Sequence, residues 1–231
     1  MIQHLNWDSD FFNLKIGKVL GLNNEIIQEL ISKNYDLLYV FSQDPKGISN
    51  NIIKQSNAQL VDSKVIFQKE IKFDGKLVDC VEFSSSDSMD QLFQLALESG
   101  HKSRFKLDEN FEKGKFEELY NIWIKKAVNE TETQKVFVYR DKSSLGGFVT
   151  IEIKNETAVI GLIAVHDSLR GQGIGKKLMN QVESYLINRK IPKLEVATQL
   201  ENSGACKFYE QLGFEIKETI KIYHLWKKRM V

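Results

Sequence analysis

The chain has 231 residues and only two cysteines, Cys80 and Cys206. Neither has a neighbour at metal-ligand spacing, which excludes a cysteine-held metal site, and both are expected to be free thiols in a reducing cytoplasm. Net charge is also lacking: 32 Lys and Arg stand against 31 Asp and Glu, leaving +1. That excludes the strongly basic surface of a nucleic-acid-binding domain. No apolar run is long enough to cross a bilayer. The opening Met-Ile-Gln-His-Leu-Asn-Trp has neither the basic region nor the apolar core of a signal peptide, so a cytoplasmic protein without membrane contact is expected. Internal repeats and low-complexity tracts are absent too. What is present is ordinary for a soluble globular chain, 42% hydrophobic and 27% charged, and long enough for one large domain or two small ones.

The most informative stretch runs from Thr157 to Met179. Ala158 to Val165 is a short, β-branched apolar run that reads as a strand buried on both faces. A polar break at His166 to Leu169 follows, then Arg170-Gly-Gln-Gly-Ile-Gly175. Beyond it Ile174, Leu178, Val182, Tyr185 and Leu186 recur at helical spacing. The order is strand, glycine loop, helix. Glycines at 171, 173 and 175 let the backbone approach a ligand, and the first-turn amides of the helix point at it with the positive end of the dipole, an arrangement suited to phosphate. The Rossmann fingerprint fails, because its third glycine would fall on Lys176. A Walker A loop fails as well: it needs glycine at 170 and Ser or Thr at 177, where Arg and Lys stand. Lys176 and Lys177 are expected to form a basic patch beside the phosphates.

Arg170 to Gly175, following a strand that ends Ile163-Ala-Val165, resembles motif A of the GNAT superfamily of N-acetyltransferases, which holds the pyrophosphate of acetyl-CoA. Asn202-Ser-Gly-Ala205-Cys-Lys-Phe-Tyr209-Glu-Gln-Leu-Gly-Phe214, after the strand Leu194 to Gln199, resembles motif B of the same superfamily. The resemblance implies an α/β fold, the GNAT acyl-CoA N-acyltransferase fold, with a mixed, splayed central sheet flanked by helices. It also implies acetyl-CoA as cosubstrate and no metal. The residues it assigns to the cofactor are Leu162, Ile163, Ala164 and Val165 at the strand end, Arg170, Gly171, Gln172, Gly173, Ile174, Gly175 and Lys176 in the loop, and Asn202, Ala205 and Tyr209 in the second motif. Two are assigned to catalysis: the Ile163 N–H as donor to the thioester oxygen, and Tyr209 as the acid that protonates the departing thiolate. Cys206 lacks an activating base and reads as a packed small residue. No general base can be fixed. His166 reads as a turn residue, and Glu152 or an ordered water are the other choices.

Along the chain, residues 1–75 read as a small α/β N-terminal unit and 76–231 as the acetyltransferase domain, with the junction at Asp74-Gly75. The first block is expected to hold a strand over Lys15 to Leu20, a helix over Asn24 to Ser32, a strand over Asp36 to Phe41, a helix over Ile48 to Gln55 and a strand over Val61 to Ile71. It has too few elements to stand comfortably alone. The second is expected to hold a strand over Leu77 to Phe83 and helices over Ser88 to Glu98 and Phe116 to Val128. A hairpin then turns around Asp141 to Gly146, motifs A and B follow, and two closing strands cover Phe214 to Lys221 and Ile222 to Lys227.

Asn6 to Phe12, Ser103 to Phe111 with Leu119 to Trp123, Val196 to Gln199, and Tyr223-His-Leu-Trp226 are together similar to the TDP-fucosamine acetyltransferase family, over nearly the whole chain. That resemblance implies a nucleotide-sugar substrate, with the amino group of a dTDP-linked amino-dideoxy sugar acetylated by direct transfer in a ternary complex, for surface polysaccharide. Arg104 suits a diphosphate, because guanidinium matches phosphate bidentately. Phe105 and Phe111 can stack on thymine or line the sugar, although ordinary packing of a loop accounts for the segment equally well. Two alternatives stand beside this reading: acetylation of a protein N-terminus or another small amine, and a CoA-binding regulatory module without turnover. Exposed strand edges would also permit a homodimer.

Overall fold

The computed structural model describes residues 1–73, 75, 77–79, 81–129 and 132–227. The first block comprises β1 (Gln3–His4), α1 (Asn6–Phe12), β2 (Ile16–Leu20), α2 (Asn24–Ser32), β3 (Leu37–Ser42), α3 (Asn50–Ser56) and β4 (Gln59–Glu70). Next come three helices, α4 (Met89–Ser99), α5 (Arg104–Leu107) and α6 (Lys115–Val128), and the strands β5 (Gln134–Asp141), β6 (Ser144–Lys154) and β7 (Thr157–Val165). The chain closes with α7 (Ile174–Arg189), β8 (Lys193–Gln199), α8 (Ser203–Gln211) and β9 (Glu215–Trp226). Side-chain caps start several helices, as with Asn23 before α2 and Ser88 before α4, each accepting from an amide in the first turn.

The strands form one nine-stranded sheet in the order β1-β2-β3-β9-β4-β8-β7-β6-β5. Strand β4, from the first block, therefore lies between two of the last strands, antiparallel to both. Alternation along the strands sends Tyr39, Val138, Phe148 and Trp226 to one face, where they pack with α1, α4, α5 and α6. Phe67, Phe137, Val149 and Ile160 go to the other, under α7 and α8. Helices α2 and α3 cover the β2–β3 end of that second face.

Several expectations need correction. Among its described residues the segment Leu77 to Phe83 makes a single bridge, Glu82 to Phe137, with Val81 and Phe83 bonded to β5. Its backbone is claimed instead by α7, whose buried Ser184 and Gln181 bond Val78 and Val81. Cys80, like Asp74 of the expected junction, lies outside the described residues. The hairpin is tighter than expected, turning at Lys142 and Ser143 with φ +56 at Lys142. The closing segment is one strand, since no turn residue separates Lys221 from Ile222; bulges against β4 near Leu60 and Ile66 adjust its register. Finally, only Ala158 and Ile160 of β7 are buried. Its pairing with β8 stops at Ile160–Val196, so residues 161–165 border a gap.

Candidate functional site

That gap is where the site lies. On the β6 side, the Leu162 N–H donates to Thr150 Oγ1 and the His166 N–H to the Gly146 carbonyl. Successive N–H groups of a strand point to opposite sides, so those of Ile163 and Val165 face the edge that β8 has left. Beyond the strand, Arg170 bends back: its Nε donates to the Val165 carbonyl at 3.0 Å and its Nη2 meets Glu98 Oε2 at 2.9 Å. This ties the loop to the end of α4.

Helix α7 begins at Gly173, which has φ +76 and no side chain to cap the first turn. The amides of that turn are left to an outside partner and carry the positive end of the dipole. Gly171 and Gly173 both sit in the left-handed region, and nothing lies within 4 Å of where a Cβ would stand on either. The loop thus exposes bare main chain, which fits a phosphate-bearing ligand. Gly175 is needed for a different reason: a Cβ there would come within 3.1 Å of Phe208 on α8.

Strand edge, loop and the facing helix α8 enclose a cavity of about 900 Å³. Ile163, Ala164, Val165, Arg170, Gly171, Gly173, Ile174, Gly175, Lys176, Asn202, Ala205 and Tyr209 all line it. Two expected cofactor residues do not. The Leu162 side chain alternates away into the core beneath α4 and α6, and Gln172 turns back to the Ser168 carbonyl. Lys177 is also diverted, lying 5.1 Å from the Tyr139 ring centroid, so Lys176 alone brings a lysine charge from the loop to the cavity.

Asn202 caps α8 by accepting from the Ala205 N–H. Tyr209 is 3% exposed and packs against Phe67, Phe208 and Phe214. Burial, with a smaller contribution from Cys206, pushes its phenol well above the usual tyrosine range, so it keeps its proton at any physiological pH. Burial also raises the Cys206 thiol, as suits a packed residue. His166 is an exposed turn residue bonded to Ser168. Glu152 is paired with Lys154 in the register opposite Val159, and it does not line the cavity.

Sequence reasoning missed the contribution of the α4–α5 link. Glu98, Ser99, His101 and Lys102 form one cavity wall, and Lys102 Nζ donates to the Glu201 carbonyl at 2.9 Å. No motif marks these residues. The stripe Gly204, Phe208 and Leu212 on α8 does have a helical spacing that was open to reading.

Arg104, Phe105 and Phe111 are not in the cavity wall. Arg104 lies flat over Tyr39 and Phe105, 4.2 and 4.4 Å from their ring centroids, and its Nη1 donates to His224 Nε2 at 2.9 Å. Because guanidinium only donates, the imidazole proton must sit on Nδ1, where it reaches Asp108 Oδ2 at 2.5 Å. Burial lowers the His224 pKa to about 4, against a smaller upward pull from Asp108, so the ring is neutral at physiological pH. Burial alone would raise Asp108, but bonds from His224, Asn110 and Trp226 outweigh it and hold the carboxyl below its usual range. Phe111 is buried against Phe12, His224 and Trp226, and Phe105 packs on Phe12 and Trp123. Of the segment Ser103 to Phe111, only Arg104–Leu107 form a helical turn, and these contacts hold it.

Among the described residues no group of three His, Cys, Asp or Glu side chains is placed to hold a metal ion, and no helix is long and apolar enough to cross a membrane. A family model described as the Acetyltransferase (GNAT) family matches residues 89–214. A dTDP-fucosamine acetyltransferase of Escherichia coli O6:H1 is 34% identical over 103 residues, 44% of this chain and 43% of that protein. The spore coat polysaccharide biosynthesis protein SpsD of Bacillus subtilis is 23% identical over 133 residues, 58% of this chain and 46% of that one. The chain thus spans under half the length of these two curated relatives. A crystal structure of a functionally unknown conserved protein from Staphylococcus epidermidis matches 91% of this chain and 83% of its own, with a TM-score of 0.63 and 13% identity, a likeness of fold alone.

Proposed function

The chain belongs to the Acetyltransferase (GNAT) family, and we propose that it transfers the acetyl group of acetyl-CoA directly to the amino group of a dTDP-linked amino-dideoxy sugar. One observation carries the donor half: the open edge of β7 and the uncapped start of α7 border the same 900 Å³ cavity, with Tyr209 in its wall. The family and fold imply acetyl-CoA as the acyl source. In this reading the α7 amides, Gly171 and Lys176 take the diphosphate, and the free N–H groups of Ile163 and Val165 pair with the amide arm.

The chemistry follows from where charge develops. As the amine nitrogen forms its bond to the carbonyl carbon, the Ile163 N–H stabilises the growing negative charge on oxygen more than mobile water would. When the C–S bond breaks, the Tyr209 hydroxyl gives its proton to sulfur. The sugar half of the proposal is supported by the likeness to a dTDP-fucosamine acetyltransferase, and a role in surface polysaccharide by the likeness to a spore coat polysaccharide protein.

Thermal shift tests both halves, because a ligand of the native state raises its melting temperature. Acetyl-CoA and dTDP are each expected to stabilise the full chain, and mass spectrometry to detect an N-acetylated dTDP-4-amino-4,6-dideoxygalactose. Stabilisation by acetyl-CoA without dTDP would redirect the search to another amine. No response to acetyl-CoA would overturn the cavity assignment.

A further inference from the structure

Buried polar atoms are nearly always paired, so those that are not deserve an account. Among the described residues one such atom is Asp62 Oδ1, which neighbours Arg104 and has no hydrogen-bond partner, whereas the Tyr39 hydroxyl beside it interacts with the Asp8 carboxyl. The strand registers pair Tyr39 with His224, and both Phe41 and Asp62 with Ile222. Cross-strand partners share a face, so Tyr39, His224 and Asp62 all point to the α5 side. There the Arg104 guanidinium lies over them, with Asp8 of α1 close by.

This cluster adjoins the cavity. Leu200 N–H donates to the Ser63 carbonyl beside Asp62, and the next residue, Glu201, is held by Lys102 of the cavity wall. Tyr209 packs with Phe67 on the opposite face of the sheet. Tyr209 thus stands in the cavity wall, and Asp62, with one oxygen unpartnered, lies nearby on the opposite face of the sheet, outside that wall.

We propose that Asp62 receives the acceptor sugar's amino group as an ammonium ion and takes the proton it must lose before attack. This rests on the amino-sugar reading above. The step balances: ammonium and carboxylate become amine and carboxylic acid, and the half-exposed Asp62 then returns the proton to water. Burial lifts the Asp62 carboxyl to about 6, with Glu201 adding to the rise and Arg104 and Lys64 opposing it. Tyr120 of α6 is the remaining titratable group facing it. A base poised near neutrality suits the task. Residues 1–75 would then supply the acceptor end of the active centre.

The test uses the full chain with acetyl-CoA and dTDP-4-amino-4,6-dideoxygalactose. The pH profile of kcat/KM is expected to show an acid limb near pH 6 in addition to that of the amine. Asp62→Asn should lower kcat/KM by roughly 10²-fold, erase that limb and leave CoA affinity by calorimetry unchanged. Melting at pH 8 checks that the variant folds, since it keeps the shape of the side chain and removes only the charge that faces Arg104. A variant that keeps wild-type kcat/KM overturns the Asp62 role while leaving the amino-sugar reading intact. A wild-type profile without the limb overturns it whether or not the variant folds. Failure of the wild type to acetylate this sugar while still binding CoA overturns both.

Discussion

Tyr209 holds its proton because the ring is sealed among Phe67, Phe208 and Phe214. Tyr209→Phe keeps that packing and removes only the hydroxyl. Turnover is expected to fall roughly 10²-fold or more while calorimetry finds CoA affinity unchanged, the usual scale for a lost general acid; undiminished turnover removes Tyr209 from the mechanism. This residue was legible because Asn202 and Tyr209 sit on one helix at a fixed spacing. Glu98, Lys102 and Asp62 were not, since each reaches its place from a segment remote in sequence. Arg104 was legible as a partner for negative charge. That His224 and the Tyr39 and Phe105 rings hold it was not.

Among the elements, the start of α7 offers only main-chain amides to the proposed diphosphate, so its conformation decides whether it can bind. Gly173→Val asks a β-branched residue to adopt φ +76, which L side chains rarely tolerate. The expected outcome is loss of measurable CoA binding by calorimetry with far-UV circular dichroism little changed; wild-type affinity would refute the phosphate-loop assignment. The strand–loop–helix unit was readable because its apolar period switches from strand to helix within a few residues. Where elements were misread, a tertiary partner intervened. Ser184 and Gln181 of α7 claim the backbone of the segment expected as a strand before α4. The apolar end of β7 is less buried than its sequence suggests, because β8 diverges from it.

For the whole molecule, the position of β4 matters most. It pairs with β8 along residues 64–70 and with β9 along 59–68, so both strands depend on it for backbone partners. Residues 76–231 expressed alone are expected to aggregate, with both edges of β9 and one edge of β8 exposed, whereas the full chain is expected to unfold cooperatively. A soluble fragment with its own melting transition would show an acetyltransferase domain that folds independently of the first block. The sequence by itself determined most helices and strands, the glycine loop before α7 and the residues Asn202, Ala205 and Tyr209 that line the cavity with it, because propensity, periodicity and glycine placement act over neighbouring residues. Only the tertiary structure decided that β4 is inserted beside β8, that β7 and β8 part after Ile160, and that Asp62 faces Arg104 with an unpaired oxygen. Strand pairing joins residues far apart in the chain through backbone groups that every residue carries, so side-chain pattern cannot specify which strand becomes whose neighbour.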